Sequence, residues 1–291
     1  MSAQVVDELI QSTRMSLAFM RDYAAYRLWM LREHPENLKS RIEAGDISIH
    51  YHCYSRGEPV LLLHGGFMFS ETWVGQIPAL AQRYRVLAMD SRGHGRTTLG
   101  KRPLTYRQLA EDAAALIERL RLGPVHLVGW SDGGCTSLAL ALKRPQLVHS
   151  MVLLGTPFNT DNYSEEAKSK IDAILRPFSL SMLGMRAIRR LMTTEPEKGG
   201  EFSCKMRKMW TELPDFAPEE LGRIQTPTLV IGCDRDEFLS LTPDPLQVFK
   251  DTAAAIPNAR LEVVEGGTHT MHMERPNKVN RLILEFLQGL R

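Results

Sequence analysis

Short apolar runs alternate with amphipathic stretches along most of the sequence, and this alternation constrains the fold more than any other feature. Each run has the length of a strand and is followed by a loop and then by apolar residues at helical spacing. Strands that alternate with helices form βαβ units, which build a mainly parallel sheet with helices on both faces. The apolar runs lie at residues 60–63, 86–89, 125–128, 151–154, 229–231 and 261–264.

Two segments depart from this alternation and define the predicted domain organisation. Residues 1–37 carry apolar side chains at helical spacing up to Pro35, which predicts an N-terminal helical extension. Residues 158–222 lack a strand-like run and are punctuated by prolines, which predicts a helical insertion between two strands. The α/β core is therefore predicted to comprise residues 38–157 and 223–291, and to begin with a hairpin at the sheet edge.

The composition argues against several classes of function. A net charge of +2 leaves no basic excess for binding nucleic acid. The four cysteines lack the spacing of a zinc site or a disulfide framework, so we expect reduced thiols and no metal. The N-terminus lacks a signal-peptide pattern, and no apolar stretch reaches the about 18 residues that span a membrane. We therefore expect a soluble cytoplasmic protein whose N-terminal helix packs on the core or forms a homodimer.

The predicted strand at residues 125–128 leads into the sequence GWSDGG, which contains the pattern G-x-S-x-G and precedes a predicted helix. A strand, a sharp turn and a helix in this order form a nucleophile elbow, in which the serine has a strained backbone. Gly129 and Gly133 are needed because a Cβ atom there would collide with the neighbouring strand and helix. The helix N-terminus would also stabilise an oxyanion beside the serine. We therefore predict that Ser131 is a nucleophile.

The loop after the first apolar run has the sequence HGGF at residues 64–67. Acyl transfer places negative charge on a carbonyl oxygen, which two preorganised N–H groups stabilise. We predict that one donor is the backbone N–H of Asp132 and that the other belongs to Gly66 or Phe67, between which the sequence does not decide. His64 is a candidate base, but a histidine before such a turn is more typical of a residue that stiffens the loop.

A serine nucleophile needs a base within hydrogen-bonding reach, and nine histidines are available. His269 follows a predicted strand and a pair of glycines, at the sheet edge where catalytic groups gather. We predict that His269 is the general base and that His272 supports it. The other histidines lie at helix, strand or loop positions and are interpreted as structural: His34, His50, His52, His94, His126 and His149.

The segment GCDRDE follows another predicted strand and offers the acid that orients the base. Asp236 is the preferred candidate, and Asp234 is the alternative. Asp90 also follows a strand, but the nearby Arg92 and Arg96 predict a structural salt bridge there. The resulting chain order of serine, aspartate and histidine is typical of triads on sheets of this kind.

Residues 40–291 resemble the α/β-hydrolase superfamily in several motifs that occur in the expected order. These motifs are HGG, DSRGHG, GWSDGG, PTLVIGCDRDE and GGTHTMHMERP. The resemblance implies the α/β-hydrolase fold, with residues 158–222 as a helical cap that roofs the active site. Besides the N-terminal helix, this predicted cap is a candidate surface for a homodimer. The elbow is locally similar to the valacyclovir hydrolase (biphenyl hydrolase-like) group, which handles amino-acid esters. Residues 1–37 are not covered by this resemblance.

These residues predict a serine hydrolase for a small-molecule carboxylic ester, thioester or lactone, with no cofactor. Epoxide hydrolases and haloalkane dehalogenases share the fold but place an aspartate at the elbow, so Ser131 argues against both. A C–C bond hydrolase or a perhydrolase would use the same triad and stays an alternative. A small-molecule receptor that keeps the triad is the non-enzymatic alternative.

Aromatic residues, together with methionines of the insertion, are candidates for an apolar substrate pocket of adaptable shape. The aromatic candidates are Phe67, Phe69, Trp130 and Trp210. Asp132 has two interpretations. Its carboxylate either stabilises the N-terminus of the helix, or faces the pocket and pairs with the ammonium group of an amino-acid ester.

Overall fold

A mainly parallel sheet forms the centre of the computed structural model, which describes residues 20–32, 38–175, 180–240 and 243–290. Its eight strands, numbered in chain order, are β1 (Leu38–Ala44), β2 (Ile47–Tyr54), β3 (Pro59–Leu63), β4 (Arg85–Met89), β5 (Val125–Trp130), β6 (Val148–Leu154), β7 (Thr228–Cys233) and β8 (Ala259–Val264). The spatial order is β1-β2-β4-β3-β5-β6-β7-β8. The pairs β1–β2 and β2–β4 are antiparallel and the other pairs are parallel, so the predicted edge hairpin of β1 and β2 is confirmed.

Helices cover both faces of the sheet. Those in the described part of the chain are α1 (residues 20–32), α2 (Ile77–Leu80), α3 (Tyr106–Arg119), α4 (Asp132–Lys143), α5 (Glu165–Leu175), α6 (Leu180–Met192), α7 (Gly199–Glu212), α8 (Pro218–Leu221), α9 (Gln247–Ala255), α10 (Met271–Glu274) and α11 (Pro276–Gln288). Short 3₁₀ helices occur at Ser70–Trp73, Pro145–Leu147, Thr160–Asn162 and Pro196–Lys198. This architecture confirms the predicted α/β-hydrolase fold.

The alternation of side chains along each strand divides the apolar interior into two clusters. Leu61 and Leu63 of β3 face one cluster, which also contains residues of α3, α4, α7 and α9. Val60 and Leu62 face the other, which also contains residues of α2 and α11. The parallel strands are therefore buried on both faces, which explains why they are continuous apolar runs in the sequence.

The carboxyl ends of the parallel strands meet at one edge of the sheet. Ser131 follows β5, Asp236 lies three residues after β7, and His269 lies five residues after β8. Residues that are far apart in the sequence therefore come together at this edge, where ligands usually bind in open α/β sheets.

Helix α1 packs on the outer side of β2 through aromatic side chains. Tyr26 is only 5% exposed, and its hydroxyl lies 2.7 Å from that of Tyr54. The ring of Trp29 also packs against Tyr54, with 6.1 Å between centroids. The predicted packing of this helix on the core is thus present over residues 20–32. Residues 1–19 and 33–37 of the predicted extension lie outside the described residues, and a homodimer stays a prediction.

The chain between β6 and β7 contains α5, α6, α7 and α8, together with a single bridge between Asn159 and Asp215. Residues 158–222 are thus helical where they are described, apart from connecting loops, with residues 176–179 outside the description. The division into core and cap domains stays a prediction.

No helix in the described part of the chain has both the length and the apolar character of a membrane span. All four cysteines are free thiols, as expected.

Candidate active site

The tight turn between β5 and α4 holds Ser131 in a strained backbone conformation. Its φ of 53° and ψ of −117° lie in a region that non-glycine residues rarely adopt. A Cβ atom on Gly129 would overlap the backbone of Gly133, and one on Gly133 would overlap the carbonyl oxygen of Leu63. The two glycines therefore let β3, β5 and α4 approach closely, which places the serine at the carboxyl edge of the sheet.

Three side chains from separate strand ends form one hydrogen-bonded chain. The Nε2 atom of His269 lies 3.0 Å from Oγ of Ser131, and its Nδ1 atom lies 2.9 Å from Oδ2 of Asp236. An imidazole that donates from Nδ1 to a carboxylate directs the lone pair of Nε2 at the serine hydroxyl. This arrangement can accept the proton of Ser131.

Two consecutive acids hold His269 in place. Oδ1 of Asp236 accepts the backbone N–H groups of Phe238 and Leu239, each at 3.0 Å, which fixes the carboxylate in the loop after β7. Glu237 accepts the backbone N–H of His269 at 3.0 Å through its Oε2 atom. The side chain and the main chain of the same histidine are therefore each bound by a carboxylate.

Opposing effects set the pKa of His269. Burial disfavours the imidazolium and lowers the pKa, whereas the nearby carboxylates of Asp236, Glu237 and Asp132 favour the imidazolium. The carboxylates outweigh the burial, so the pKa of His269 is raised above the ordinary histidine value. His269 is therefore a stronger base than a free histidine.

The alternative acids occupy other positions. Asp234 accepts the backbone N–H of Gly266 and so ties the loop after β7 to the loop after β8. Asp90 accepts the backbone N–H groups of Ser70 and Arg96, each at 2.8 Å. The predicted salt bridge of Asp90 is wrong, because the Arg92 guanidinium pairs with Asp46 and Asp112 and the Arg96 guanidinium pairs with Glu71.

The loop after β3 turns sharply beside the elbow. Met68 donates its N–H to the carbonyl oxygen of Gly65 at 3.2 Å, and Phe67 has a φ of +59°. His64 stiffens this loop as expected: its Nε2 accepts the N–H of Ser91 at 3.0 Å, and its Nδ1 lies 2.8 Å from the carbonyl oxygen of Gly65. Burial lowers the pKa of His64, so its imidazole is neutral near pH 7.

The amides assigned to the oxyanion hole are available as donors in the described part of the chain. Asp132 is the first residue of α4, where backbone N–H groups have no partner within the helix. The amides of Gly66 and Phe67 donate to no backbone carbonyl among the described residues. The choice between Gly66 and Phe67 stays open.

Asp132 is buried, with 7% of the residue exposed. Its carboxylate accepts hydrogen bonds from two uncharged side chains. The hydroxyl of Tyr106 donates to Oδ1 at 2.9 Å, and Nε1 of Trp210 donates to Oδ2 at 2.9 Å. Burial raises the pKa of Asp132, and these hydrogen bonds partly offset that rise. In the described part of the chain no lysine or arginine forms an ion pair with this carboxylate.

A cavity of about 230 Å³ opens onto Ser131 and His269. Its wall is mainly apolar and aromatic. Besides Tyr163, the ionisable side chains on this wall are Asp132, Glu237 and His269. The described lining therefore has two carboxylates and no lysine or arginine. It consists of Gly65, Gly66, Met68, Trp130, Ser131, Asp132, Pro157, Tyr163, Ile171, Trp210, Glu237, Phe238, Leu239, His269 and Thr270.

Two of the four predicted aromatic contacts line this cavity, namely Trp130 and Trp210. Phe69 is not among the lining residues: the turn at residues 65–68 leads it into the next 3₁₀ helix, and Met68 lies at the cavity, so a substrate contact of Phe69 stays a prediction. The ring of Phe67 lies outside the lining and packs edge-on against Trp210, with 5.3 Å between centroids.

Among the methionines of the insertion whose side chains the structure describes, none lines the cavity. Met206 and Met209 of α7 are buried in the apolar cluster that also contains residues of α3, α4 and α9. The side chains of Met182 and Met185 lie outside the described residues. Met68, from the loop after β3, is the methionine at the cavity.

Trp130 contacts both the main chain of the proposed base, His269, and the ring of His272. Nε1 of Trp130 donates to the carbonyl oxygen of His269 at 2.7 Å. The ring of His272 lies between those of Trp73 and Trp130, with centroids 4.8 and 4.5 Å away. Burial lowers the pKa of His272 to about 3, so its imidazole is neutral near pH 7. The ring therefore contributes to packing between the two tryptophans.

Tyr106 and Tyr163 are site residues that the sequence analysis missed. Tyr106 begins α3 and donates a hydrogen bond to Asp132, while Tyr163 lies between β6 and α5 and lines the cavity. Neither belongs to a motif, so no local pattern identifies them.

Known proteins share the sequence pattern and the fold of this chain. The family model described as "Alpha/beta hydrolase family" matches residues 60–282. A 2-hydroxy-6-oxononadienedioate/2-hydroxy-6-oxononatrienedioate hydrolase from Pseudomonas putida is 29% identical over 282 residues, covering 86% of this chain and 95% of the relative. The serine hydrolase BPHL of Homo sapiens is 27% identical and covers 86% of each chain. The crystal structure of a hydrolase from Pseudomonas aeruginosa PA01 superposes with a TM-score of 0.68 at 26% identity, covering 86% of this chain and 98% of that one.

Proposed function

Because the chain belongs to the alpha/beta hydrolase family, we propose that it is a serine hydrolase that cleaves carboxylic esters through an acyl-enzyme intermediate. The observation that carries the proposal is the hydrogen-bonded chain from Ser131 through His269 to Asp236, with distances of 3.0 and 2.9 Å. Thioesters and lactones present the same acyl carbon and belong to the proposed substrate class.

In the acylation step, Oγ of Ser131 attacks the carbonyl carbon while Nε2 of His269 accepts the hydroxyl proton. Asp236 stabilises the imidazolium that forms and keeps the ring oriented. The N–H of Asp132 and a second N–H from Gly66 or Phe67 bind the oxyanion, which the N-terminus of α4 also stabilises. His269 then protonates the departing alcohol.

In the deacylation step, a water molecule takes the place of the alcohol beside His269. Nε2 accepts a proton from this water as its oxygen attacks the acyl carbon, and the proton then returns to Oγ of Ser131 as the acid leaves. Because the pKa of His269 is raised, the neutral form that both steps require predominates only at neutral to alkaline pH.

The acidic cavity favours substrates that carry a cation near the scissile bond. Asp132 is buried beside the nucleophile with Tyr106 and Trp210 as neutral donors, and Glu237 is a second carboxylate on the same cavity. An ammonium group that binds there would offset the cost of holding a negative charge near a forming oxyanion. This supports amino-acid esters, the substrates that the resemblance to the valacyclovir hydrolase group implies, as the preferred class.

Hydrolysis of a C–C bond is the second candidate function. The relative from Pseudomonas putida is named as a hydrolase of 2-hydroxy-6-oxononadienedioate and 2-hydroxy-6-oxononatrienedioate, and the match covers 86% of this chain. The anionic substrate in that name fits poorly with a lining that has two carboxylates and, among the described residues, no lysine or arginine. We therefore rank ester hydrolysis first.

A substrate panel tests this proposal. Purified protein is assayed with p-nitrophenyl esters of increasing acyl length, amino-acid esters and a 2-hydroxy-6-oxo dienoic acid, with Ser131→Ala as the matched control. We expect saturable turnover of esters, and the highest kcat/KM on an amino-acid ester. Cleavage of the dienoic acid without ester turnover would replace the proposal by C–C hydrolysis. Binding without turnover of any of these compounds would favour a receptor.

A further inference from the structure

A second group of chemically active side chains lies at the opposite edge of the sheet from Ser131. Glu58 directly precedes β3, His126 is the second residue of β5, and His149 is the second residue of β6. Since β3, β5 and β6 are parallel neighbours, these three residues come together where the strands begin. The proposed ester hydrolysis uses none of them.

The distances within this cluster fit a small cation. One potential ligand atom from each residue lies within 4.8 Å of the others. Nε2 of His126 is 3.2 Å from Oε1 of Glu58, and the rings of His126 and His149 meet edge-on with 4.8 Å between centroids. Ligand atoms bound tetrahedrally to zinc at about 2.0–2.2 Å lie about 3.3–3.6 Å apart, so the Glu58–His126 pair already has nearly the spacing that zinc requires.

A shift in the pairing register of β5 and β6 occurs next to His149. Val125 pairs with Val148, whereas the next residue of β5, His126, pairs with Ser150. His149 is therefore an additional residue on β6, at a shift in the register. Such bulges redirect a side chain that would otherwise follow the regular alternation of the strand.

A hydrogen bond prepares His126 as a ligand. Its Nδ1 atom lies 2.7 Å from Oγ of Ser150, and an Nδ1–H donated to this oxygen leaves the Nε2 lone pair on the side of Glu58. The imidazole of His126 is 2% exposed, whereas His149 is exposed and can move toward a bound ion. His126 is thus held in place, whereas His149 lies on the solvent side, from which an ion can enter.

We propose that Glu58, His126 and His149 form a binding site for a divalent transition-metal ion, with Zn²⁺ as the best-matched probe. Two imidazoles and one carboxylate are ligands that zinc accepts, and a water molecule would complete the tetrahedron. The ion would join the first residues of β5 and β6 to the loop before β3. Its effect is on the stability of this sheet edge and is independent of the serine chemistry.

Metal titration of the full chain tests this site. Chelator-treated and dialysed protein is titrated with ZnCl₂ by calorimetry near neutral pH, and thermal unfolding is followed with and without the ion. We expect one Zn²⁺ per chain at this site and a higher Tm in its presence. Mg²⁺ serves as the control ion and is expected to leave the Tm unchanged, because it prefers oxygen ligands.

Two variants assign the binding to these residues. His149→Ala and Glu58→Gln are each expected to weaken Zn²⁺ binding at least about 10-fold and to abolish the Tm increase. Cys204→Ser, which removes an exposed thiol elsewhere, is the matched control and is expected to bind like the parent chain. Ester turnover of His149→Ala should equal that of the parent. Failure of the parent to bind Zn²⁺, or unchanged binding by both variants, would overturn the proposal and leave only the direct contact between Glu58 and His126.

Discussion

Nε2 of His269 lies 3.0 Å from Oγ of Ser131, although the two residues are 138 positions apart in the chain. The parallel sheet produces this proximity, because β5 and β8 end at the same edge, where Ser131 follows β5 in a tight turn and His269 lies in the loop after β8. The tight turn at Ser131 and the two carboxylates that hold His269 restrict both side chains to this contact. The proposed acyl transfer depends on this contact between the base and the nucleophile.

Replacing each aspartate by asparagine should show whether Asp236 or Asp234 is the acid that orients His269. Asp236→Asn is expected to lower kcat about 10²–10⁴-fold, because an amide neither stabilises the imidazolium nor ensures the correct tautomer of His269. Asp234→Asn should affect mainly stability, since Asp234 binds the N–H of Gly266 and not the histidine. Steady-state kinetics and thermal unfolding of both variants provide the measurement. A larger loss of kcat in Asp234→Asn would show that the acid is misassigned.

The pH dependence of kcat/KM should report the raised pKa of His269. The neutral imidazole is the active form, so the rate is expected to fall as the pH decreases through the pKa, with a midpoint above the ordinary histidine value of about 6.5. Removing the Glu237 carboxylate in Glu237→Gln should move this midpoint to lower pH, because that charge favours the imidazolium. A rate that does not change between pH 5 and 8 would argue against a histidine base.

The Asp132 carboxylate should discriminate between charged and neutral substrates. Asp132→Asn is expected to raise KM at least about 10-fold for an amino-acid ester, and to change it little for a neutral ester of equal size. Trp210→Phe is the matched control, because it removes a hydrogen bond to the same carboxylate and keeps the charge. It should affect both substrates to a similar extent. Equal effects of Asp132→Asn on the two esters would leave the acid with its role at the N-terminus of α4.

Helix α1 should stabilise the fold without contributing to catalysis. Tyr26→Ala is expected to lower the free energy of unfolding by about 3 kcal/mol, because it removes a buried ring that packs on Tyr54. Leu31→Ala, on the same helix but 76% exposed, should change it by less than about 0.5 kcal/mol. Urea unfolding gives both values, and kcat/KM of both variants should match the parent. Equal stability of Tyr26→Ala and the parent would contradict a packing role.

Removal of residues 1–37 extends this test to the whole segment. The shortened chain is expected to unfold at a lower temperature and to retain ester turnover, since no described residue of α1 lines the cavity. Light scattering of both forms shows whether the segment also holds two copies together. A dimer that the truncation splits would assign the exposed side chains of Met20, Leu28 and Leu31 to that contact.

The strands and the elbow could be predicted from the sequence because their determinants are local. A buried parallel strand needs a continuous apolar run, and the six predicted runs all lie within observed strands. The sharp turn at Ser131 needs glycines at fixed offsets, which the sequence shows directly. The fold class follows from these repeated local patterns.

The partners of Asp132 could not be predicted because they are set by tertiary packing. Tyr106 and Trp210 lie 26 and 78 residues away, on α3 and α7, and nothing in either segment marks them as partners of the elbow. Phe69 was assigned to the pocket because it is aromatic and near the oxyanion loop. One turn of backbone, closed by the hydrogen bond from Met68 to Gly65, decides which side chain faces the cavity.

Covalent labelling of the nucleophile tests the central claim most directly. The parent chain is treated with a fluorophosphonate, and the modified peptide is identified by mass spectrometry, while ester turnover of Ser131→Ala is measured in parallel. We expect the label on Ser131 alone, and a loss of turnover of at least about 10³-fold in a variant that still folds, because the triad acts as a unit. A label on another residue, or a variant that keeps a tenth of the parent activity, would contradict the assignment of Ser131 as the nucleophile.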